Sequence, residues 1–418
     1  MPDTVGTRRF EPTHETLETG RDTLGNDSLL VGLVVGIDAS RIRSGGGIRH
    51  LVEVLRAVDP REHGIERVHV WSHEALLDAL PTAEWLAKHN PPELKRGLFW
   101  QMRWQRRALP REVRDQNVDI LLNTDAGTVC RAQPSVVISQ DMLSYEPGEM
   151  ARYGLSRMGL RLLVLRFVQA WSMREADGVI FLSHYAANVI QQVTGPLPRL
   201  AIIPHGVGPA FRRAEHQVTA PHGAPIRCVY VSQADLYKHQ WCVVRAVADL
   251  RRRGYDLTLL LAGGGQGRAQ RLLDAELDRS DPGRDFVTQA GVVPANDLPT
   301  LLAAADVFVF ASSCENMPNT LVEGMATGLA IACSRRGPMP EVLRDGGVYF
   351  DPENASSIAS AIEQLLVDPN LRASLGRRAA ELSNDYSWER CAIETWTFLR
   401  QTAAATGAKR APRGRASK

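Results

Sequence analysis

The sequence has no pair of cysteines spaced for a disulfide framework or a structural metal. Its six cysteines are scattered along 418 residues without any Cys-x-x-Cys spacing, at positions Cys130, Cys228, Cys242, Cys314, Cys333 and Cys391. Several of them lie in apolar, strand-like surroundings. We therefore expect a cytoplasmic protein of a reducing compartment, without a bound metal.

Long apolar runs are also absent. No stretch reaches the roughly 18 uncharged apolar residues that a transmembrane helix requires. The first thirty residues contain no apolar core of signal-peptide length, so we expect residues 1–29 to form a flexible tail. Residues 405–418 carry five basic side chains and no acidic one, which predicts a disordered basic tail.

Neither sign of charge is in excess. The 49 basic and 47 acidic residues give a net charge of +2, which says little about partners by itself, and we expect no nucleic acid among them. The chain is long enough for two domains of ordinary size, and its hydrophobic content of 44% is normal for globular proteins.

Short apolar runs alternate with amphipathic segments, the pattern of βα units and parallel sheets. Strands are predicted in the first half at 30–37, 68–71, 120–122, 136–139, 178–182 and 200–203. A stretch containing proline and glycine follows at 204–225. Strands are predicted in the second half at 227–232, 257–262, 286–290, 307–311 and 329–333. The predicted fold class is α/β, with one parallel sheet in each half.

Two carboxylates flank a predicted helix start in the second half. Glu315 and Glu323 are separated by seven residues, after a strand pattern and before a helical one, and Asn319 or Thr320 is expected to cap the helix. Such a helix start, at the carboxyl end of a parallel strand, suits a diphosphate. The glutamates would then bind hydroxyl groups at the two ends of a sugar nucleotide. The alternative is two solvated glutamates beside a turn.

Two glycine-rich turns also follow predicted strands. Gly45-Gly46-Gly47 and Gly263-Gly264-Gly265 would let the backbone approach a ligand closely, although tight turns use glycine for conformational reasons too. Neither turn has the Gly-x-Gly-x-x-Gly spacing of a dinucleotide fold, which argues against an NAD enzyme.

The ordered series that follows Glu323 resembles the carboxyl half of retaining family 4 glycosyltransferases (glycosyl transferases group 1), which have the GT-B fold. The resembling segments are 324–328, 329–333, 337–342 and 346–352, and the likeness extends over about residues 31–400. It implies two Rossmann-like parallel-sheet domains facing a cleft. Residues 30–208 would form the acceptor-side domain, 209–385 the nucleotide-sugar domain, and 386–404 a helix crossing back to the first domain.

The resemblance also implies roles for individual residues. Glu315 would contact the donor sugar and Glu323 the ribose hydroxyls, while backbone amides around Asn319 and Thr320 would hold phosphate. Gly46, Gly47 and Gly264 would belong to the donor-binding loops. Pro318 stands where the family often has glycine and cannot donate an N–H, so the later amides must hold the phosphate.

The turn after the strand at 227–232 keeps one of the two basic residues that the family usually has there. Lys238 matches the family lysine that neutralises the leaving diphosphate, whereas Gln233 replaces the family arginine. The alternative for Lys238 is a solvated surface residue. Compensation for the lost cation is expected from Arg335, Arg336 or a residue of the first domain.

Gln140-Asp141 occupies the place of a His-Asp pair found in many relatives. Gln140 cannot act as an acid or base, so Asp141 is the titratable candidate for orienting the acceptor hydroxyl, unless it only forms a turn. The predicted catalytic residues are thus Lys238, Glu315 and Asp141. His205, in a segment resembling the family's Pro-Asn-Gly-Val, is predicted to be structural.

Two segments of the first half mix basic and large apolar residues. Residues 95–114 contain seven basic side chains against one acidic, interleaved with tryptophan, phenylalanine and leucine, which favours contact with a membrane surface. Residues 153–174 carry four arginines among apolar residues. For this second segment we expect an ordinary helix that packs its apolar face on the sheet.

The expected function is a metal-independent, retaining hexosyltransferase with no cofactor other than its nucleotide diphosphate sugar. GDP-mannose is the first donor candidate and a UDP-sugar the second. The acceptor would be an oligosaccharide or a lipid-linked glycan of bacterial surface polysaccharide, met at the inner face of the cell membrane. The alternatives are a sugar-nucleotide epimerase or hydrolase of the same fold, or an inactive nucleotide-sugar-binding module.

Overall fold

Two parallel β-sheets form the framework of the computed structural model, which describes residues 32–43, 45–213 and 224–407. The first sheet has the order β3-β2-β1-β4-β5-β6-β7 and the second β10-β9-β8-β11-β12-β13. The strands are β1 Leu33–Asp38, β2 Ile65–Trp71, β3 Leu86–His89, β4 Ile120–Asn123, β5 Ser135–Ile138, β6 Gly178–Phe181, β7 Leu200–Ile202, β8 Ile226–Val231, β9 Leu257–Ala262, β10 Val287–Gly291, β11 Val307–Phe310, β12 Ala330–Ser334 and β13 Gly347–Phe350.

Helices connect the strands and cover both sheets. The α-helices are α1 Gly46–Ala57, α2 Glu74–Ala79, α3 Leu98–Arg107, α4 Leu109–Asp115, α5 Arg157–Glu175, α6 His184–Thr194, α7 Pro209–Arg213, α8 Gln240–Arg252, α9 Gly267–Ser280, α10 Leu298–Ala303, α11 Asn319–Ala326, α12 Met339–Leu343, α13 Ala355–Val367, α14 Pro369–Ser383 and α15 Trp388–Ala405. Short 3-10 helices lie at Pro60–His63, Pro92–Lys95, Glu149–Tyr153 and Leu236–Lys238.

The central strands are buried on both faces, which explains their continuous β-branched and aromatic runs. Every residue of β11, for example, is buried, and all strand pairs are parallel. The predicted α/β fold with one parallel sheet in each half is confirmed. The predicted strands occur with ends shifted by at most three residues, except that residues 30 and 31 lie outside the described residues.

The sequence analysis missed the edge strands β3 and β13. β3 is half-exposed and reads Leu-Ala-Lys-His, so it lacks a continuous apolar run. β13 begins at a glycine and is also partly exposed. Edge strands need less apolar surface, because only one neighbouring strand covers them.

Helix α15 leaves the second domain and packs on the first. It contacts α1 and β4, and a Cβ added to Gly178 in β6 would lie 3.0 Å from the Phe398 ring. The predicted tail 1–29 lies outside the described residues. Of the predicted tail 405–418, only residues 405–407 are described, and Ala405 is the last residue of α15.

The domains meet at the edges where their strands end. Asn316, after β11, donates from Nδ2 to the Ser139 carbonyl after β5 at 3.0 Å, and Ser183 Oγ donates to the Asn316 carbonyl at 2.9 Å. The Glu341 carboxylate accepts hydrogen bonds from the first two amides of α6, each at 2.8 Å. Within the described part of the chain, no helix has the length and apolar character needed to cross a membrane.

Candidate functional site

A cavity of about 890 Å³ lies between the two domains. The glycine-rich turn before α1, the turn after β9 and the first turn of α11 all contribute to its wall. Among its lining residues are Gly45, Gly46, Arg49, Gln233, Gly263, Gly264, Asn319, Thr320 and Glu323. The structure thus brings together most of the donor-binding residues predicted from the sequence.

The first turn of α11 lines this cavity with Asn319 and Thr320. The residue preceding the helix is Pro318, and no side chain caps the helix, so the expectation that Asn319 or Thr320 is the cap is wrong. Asn319 is instead the first helical residue, and its Oδ1 accepts a hydrogen bond from His205 Nδ1 at 3.1 Å. The Asn319 and Leu321 amides donate to the Met317 and Pro318 carbonyls, each at 3.0 Å. A helix start without a side-chain cap can offer its remaining N–H groups, here that of Thr320, to an anion.

Gly46 lies close to the second domain, and Gly47 lies close to the turn after β5 of its own domain. A Cβ at Gly46 would lie 3.1 Å from Asn319 Nδ2, and one at Gly47 would lie 3.0 Å from Gln140 Oε1. A larger residue at either position would therefore require the Asn319 or Gln140 side chain to shift. Gly264 also lines the cavity, where a Cβ would lie 2.9 Å from the side chain of Val292.

Glu323 forms an ion pair with Arg49, a residue that the sequence analysis did not single out. The Glu323 side chain is only 4% exposed, whereas Arg49 on α1 is 31% exposed and lines the cavity. Burial raises the pKa of the Glu323 carboxyl, and the Arg49 guanidinium opposes that rise. The position of Arg49, in the helix that follows the glycine turn, was the only sequence signal available.

Lys238 forms a second ion pair, with Glu315. The two side chains are 13% and 14% exposed, and the Lys238 ammonium lies 5.1 Å from the centre of the Tyr237 ring. Lys238 is therefore not a solvated surface residue, and Glu315 is not a solvated loop glutamate. Neither belongs to the lining of the 890 Å³ cavity.

Asp141 forms a turn at the carboxyl end of β5. Its Oδ1 accepts from the Leu143 amide at 3.0 Å, and its Oδ2 lies 3.5 Å from Gln169 Nε2. Burial raises the pKa of the Asp141 carboxyl, and these two contacts oppose the rise. The neighbouring Gln140 has a buried Nε2 without a hydrogen-bond partner among the described residues.

Two arginines and a histidine considered from the sequence lie away from the cavity lining. Arg335 and Arg336 are exposed, and Arg336 pairs with Asp351. His205 is buried against His50, with ring centres 4.5 Å apart, and burial lowers its pKa to about 4. A neutral His205 that holds Asn319 has a structural role. The described residues contain no cluster of three or more side chains that could hold a metal ion.

Helices α3 and α5 expose large apolar side chains near the cleft edge of the first sheet. Gln101 of α3 donates to the Ser40 carbonyl after β1, and Tyr145, after β5, donates from its hydroxyl to a carbonyl of α5. The exposed apolar residues are Leu98, Phe99, Trp100 and Met102 around α3, and Leu155, Met158, Leu160, Leu163, Val164 and Phe167 around α5. The expectation that α5 packs its apolar face on the sheet holds for Leu162, Ala170 and Met173, which are buried, but not for these exposed residues.

Comparisons with known proteins match both halves of the chain. Residues 44–211 match the family "Glycosyltransferase Family 4", and residues 211–382 match "Glycosyl transferases group 1". Together these matches cover every strand except β1 and all the residues that line the cavity.

Curated relatives include glycosyltransferases with different substrates. The O-antigen chain mannosyltransferase B of Escherichia coli is 34% identical over 26% of this chain and 29% of its own length. A D-inositol 3-phosphate glycosyltransferase of Pseudarthrobacter chlorophenolicus is 30% identical over 60% of each chain. A GDP-mannose-dependent phosphatidylinositol monomannoside mannosyltransferase of Mycolicibacterium smegmatis is 30% identical over 48% of this chain and 56% of its own. The matches thus span between 29% and 60% of these relatives.

Solved structures share the complete two-domain arrangement. Sucrose-phosphate synthase from Thermosynechococcus elongatus superposes with a TM-score of 0.71 at 19% identity, over 89% of this chain and all of that one. Anabaena HepE in complex with UDP-glucose superposes with a TM-score of 0.64 at 16% identity, over 90% of this chain and all of that one. At these identities the likeness shows the fold.

Proposed function

The chain belongs to the family 4, group 1 glycosyltransferases of the GT-B fold, and we propose that it transfers a hexose from a nucleotide diphosphate sugar to a glycan acceptor with retention of configuration. The observation that carries the proposal is the arrangement around α11. Its uncapped N-terminus faces the cavity, and the buried carboxylate of Glu323 lies one turn inside the helix.

Each predicted residue has a defined task in this reaction. Amides at the start of α11 hold the diphosphate, Glu323 binds the ribose and Glu315 binds the donor sugar. The bond from the sugar C1 to the diphosphate oxygen breaks, and the acceptor oxygen bonds to C1 on the same face. The acceptor proton passes to the leaving phosphate oxygen, so no enzyme nucleophile is needed. Asp141 orients the acceptor hydroxyl.

Lys238 supplies the positive charge that the leaving group requires. Its ammonium is largely desolvated, and charge stabilisation is stronger in such surroundings than in water. Donor binding would give Glu315 the sugar hydroxyls as new partners. The Lys238 ammonium could then neutralise the negative charge that develops on the diphosphate.

The donor we propose first is GDP-mannose. Two of the relatives are named as mannosyltransferases, one of them GDP-mannose-dependent. A UDP-sugar is the second candidate, since a structural neighbour was solved with UDP-glucose.

The acceptor we propose is a lipid-linked glycan reached at the inner membrane surface, in the assembly of bacterial surface polysaccharide. Residues 95–114 combine seven basic side chains with exposed Phe99 and Trp100. Helix α5 adds a second apolar surface with Arg157 and Arg161 exposed beside it. Anionic headgroups would attract the cations, while the apolar side chains would enter the interface.

An inactive binding module is the second candidate function. Gln140 and Gln233 stand where family members often have a histidine and an arginine, which favours this alternative. Such a module would bind the nucleotide sugar without consuming it. Donor consumption without an acceptor would instead indicate a hydrolase or an epimerase.

The first test combines donor binding with transfer. Thermal unfolding of the purified protein with GDP-mannose, UDP-glucose, ADP-glucose and dTDP-glucose should show a shift selective for one base, because a ligand that binds only the folded state stabilises it. With that donor, Lys238→Ala should lower transfer by about a hundredfold. Glu323→Ala should abolish the base-selective shift.

The control for this test is Lys88→Ala. Lys88 Nζ donates to two backbone carbonyls of the first domain, outside the cavity, so its loss should leave transfer unchanged. If Lys238→Ala and Glu323→Ala are folded and both bind donor and transfer sugar like the parent protein, the proposed site is wrong.

A further inference from the structure

The candidate donor site has one cation fewer than the family pattern in its second domain. Gln233 lines the cavity in place of the family arginine, and it can donate a hydrogen bond but carries no charge. A diphosphate leaving group accumulates negative charge. In the second domain, Lys238 alone would then neutralise it. A replacement cation would have to lie in the same cavity and be free to reach the phosphate.

Arg49 satisfies the first of these conditions. It lines the same cavity as Gln233, Gly264 and Thr320, although it comes from the first domain. Arg335 and Arg336 do not satisfy it, because they are exposed and absent from the cavity lining.

Beside its ion pair with Glu323, Arg49 has a ring contact and a glycine neighbour. Its guanidinium carbon lies 5.5 Å from the centre of the Phe211 ring, and a Cβ at Gly208 would lie 3.3 Å from its Nη2. Phe211 and Gly208 themselves line the cavity, so both neighbours lie on the cavity side of Arg49. The side chain is 31% exposed, so part of it already faces solvent in the cavity.

Glu323 is the group that holds Arg49 through their ion pair. If the ribose hydroxyls form hydrogen bonds with this carboxylate, as the proposed function requires, the Arg49 guanidinium loses its partner. An unpaired guanidinium beside the uncapped start of α11 would find a phosphate oxygen, and its planar fork can bind two such oxygens.

We propose that Arg49 is a diphosphate-binding residue of the first domain that replaces the arginine missing at Gln233, and that donor binding transfers it from Glu323 to the diphosphate. This inference rests on the proposed function. It makes the donor site a two-domain site, because the phosphate then contacts a cation of the acceptor-side domain. Donor binding would accordingly favour the closed arrangement of the domains.

The test compares a nucleoside with its diphosphate by isothermal titration calorimetry, using GDP and guanosine, or UDP and uridine if the uracil base is preferred. Arg49→Gln should weaken diphosphate binding by about tenfold or more, since it removes a charged hydrogen-bond donor. Nucleoside binding should stay equal or become tighter, because the guanidinium no longer competes with the ribose hydroxyls for Glu323. An unchanged ratio of the two affinities would overturn the inference.

Arg227→Gln is the matched control. Arg227 is 38% exposed and pairs with the 7% exposed carboxylate of Asp306, so it reproduces the loss of an arginine from a buried acid outside the cavity. It should leave the ratio unchanged. A similar loss of diphosphate affinity in this control would show that the effect comes from general destabilisation.

Restoring the family arginine gives a rescue experiment. The double variant Arg49→Gln/Gln233→Arg should recover most of the diphosphate affinity, because the new cation lines the same cavity. A purely structural role for Arg49, such as holding Glu323 in place, predicts no recovery. Failure of the rescue together with a stable fold would count against the inference.

Glu323→Gln supplies an independent measurement if Arg49→Gln does not fold. With a neutral amide at position 323, Arg49 is no longer held, so inorganic pyrophosphate should bind several-fold more tightly than to the parent protein. Equal or weaker pyrophosphate binding would overturn the inference. Absence of nucleoside diphosphate binding by the parent protein would instead refute the proposed function itself.

Discussion

Glu146 places a buried carboxyl group near the interface between the domains. It is 8% exposed, its Oε1 accepts from the Tyr185 hydroxyl at 2.6 Å, and its Oε2 has no partner among the described residues. Burial raises the pKa of this carboxyl to about 7, and the Glu149 carboxylate contributes to the rise. The Tyr185 hydrogen bond and the Arg336 guanidinium oppose the rise. The group therefore changes its charge near neutral pH.

This carboxyl predicts a particular pH dependence of stability. Because the folded state holds the proton more tightly than the unfolded chain, the contribution of Glu146 is full below pH 4.5 and is lost as pH rises through about 7. The Glu146→Gln variant cannot lose a proton at this position and does not undergo this loss of stability. The difference between its melting temperature and that of the parent protein should therefore increase from pH 5 to pH 8, as measured by calorimetry.

The control for this prediction is Glu363→Gln. Arg253 and the Tyr255 hydroxyl lower the pKa of Glu363, so it stays ionised throughout that pH range. Its stability difference from the parent protein should be constant from pH 5 to pH 8. Parallel curves for the parent protein and Glu146→Gln would contradict the prediction.

Residue types were predictable from the sequence, but their partners were not. Glu315, Glu323 and Lys238 stand at positions that motif spacing identifies, because strand and helix ends fix where these side chains start. Their ion pairs depend on how the domains meet, which no local pattern encodes. Arg49 was missed for that reason, since its partner lies 274 positions away along the chain.

At the scale of elements, the connector before α7 holds the start of α15. A Cβ added to Gly206 would lie 2.1 Å from the Trp388 amide nitrogen and 2.4 Å from the Ser387 carbonyl carbon. Both are backbone atoms, which cannot turn aside as a flexible side chain can. Glycine is therefore required where the connector crosses this helix.

Gly206→Ala should destabilise the protein by about 2 kcal/mol or more, because α15 must shift to admit the methyl group. Urea unfolding followed by circular dichroism measures this change. Gly208→Ala, where the added Cβ would meet only the mobile end of Arg49 at 3.3 Å, should have a much smaller effect. Equal unfolding midpoints for the two variants would contradict the prediction, because the connector would then shift to accommodate the methyl group at little cost.

The enclosed strands were the elements most clearly predicted from the sequence. Strands such as β9 and β11 are enclosed by neighbours, so their apolar runs were visible in the sequence. The edge strands β3 and β13 and the apolar exposure of α5 were not, because a partly exposed element carries a mixed pattern. The same ambiguity made α5 look like an ordinary packed helix.

At the scale of the whole molecule, α3 and α5 give the first domain an apolar and basic surface beside the cleft. Phe99 is 72% exposed and Phe167 is 67% exposed. No acidic residue occurs between Ser156 and Met173. A second copy of this chain would bring the same positive charge to this surface, whereas an anionic bilayer would bring the opposite sign.

We therefore expect the protein to sediment with vesicles of phosphatidylglycerol and phosphatidylcholine, and less with phosphatidylcholine alone. Phe99→Glu and Leu160→Glu/Phe167→Glu should each weaken vesicle binding by about tenfold or more, since burying one large apolar side chain contributes roughly 1.5–3 kcal/mol. Val367→Glu, at a residue of α13 that is 59% exposed, should bind like the parent protein. Undiminished vesicle binding by both surface variants, or a dimer in light scattering that they dissociate, would contradict a membrane as the partner of this surface.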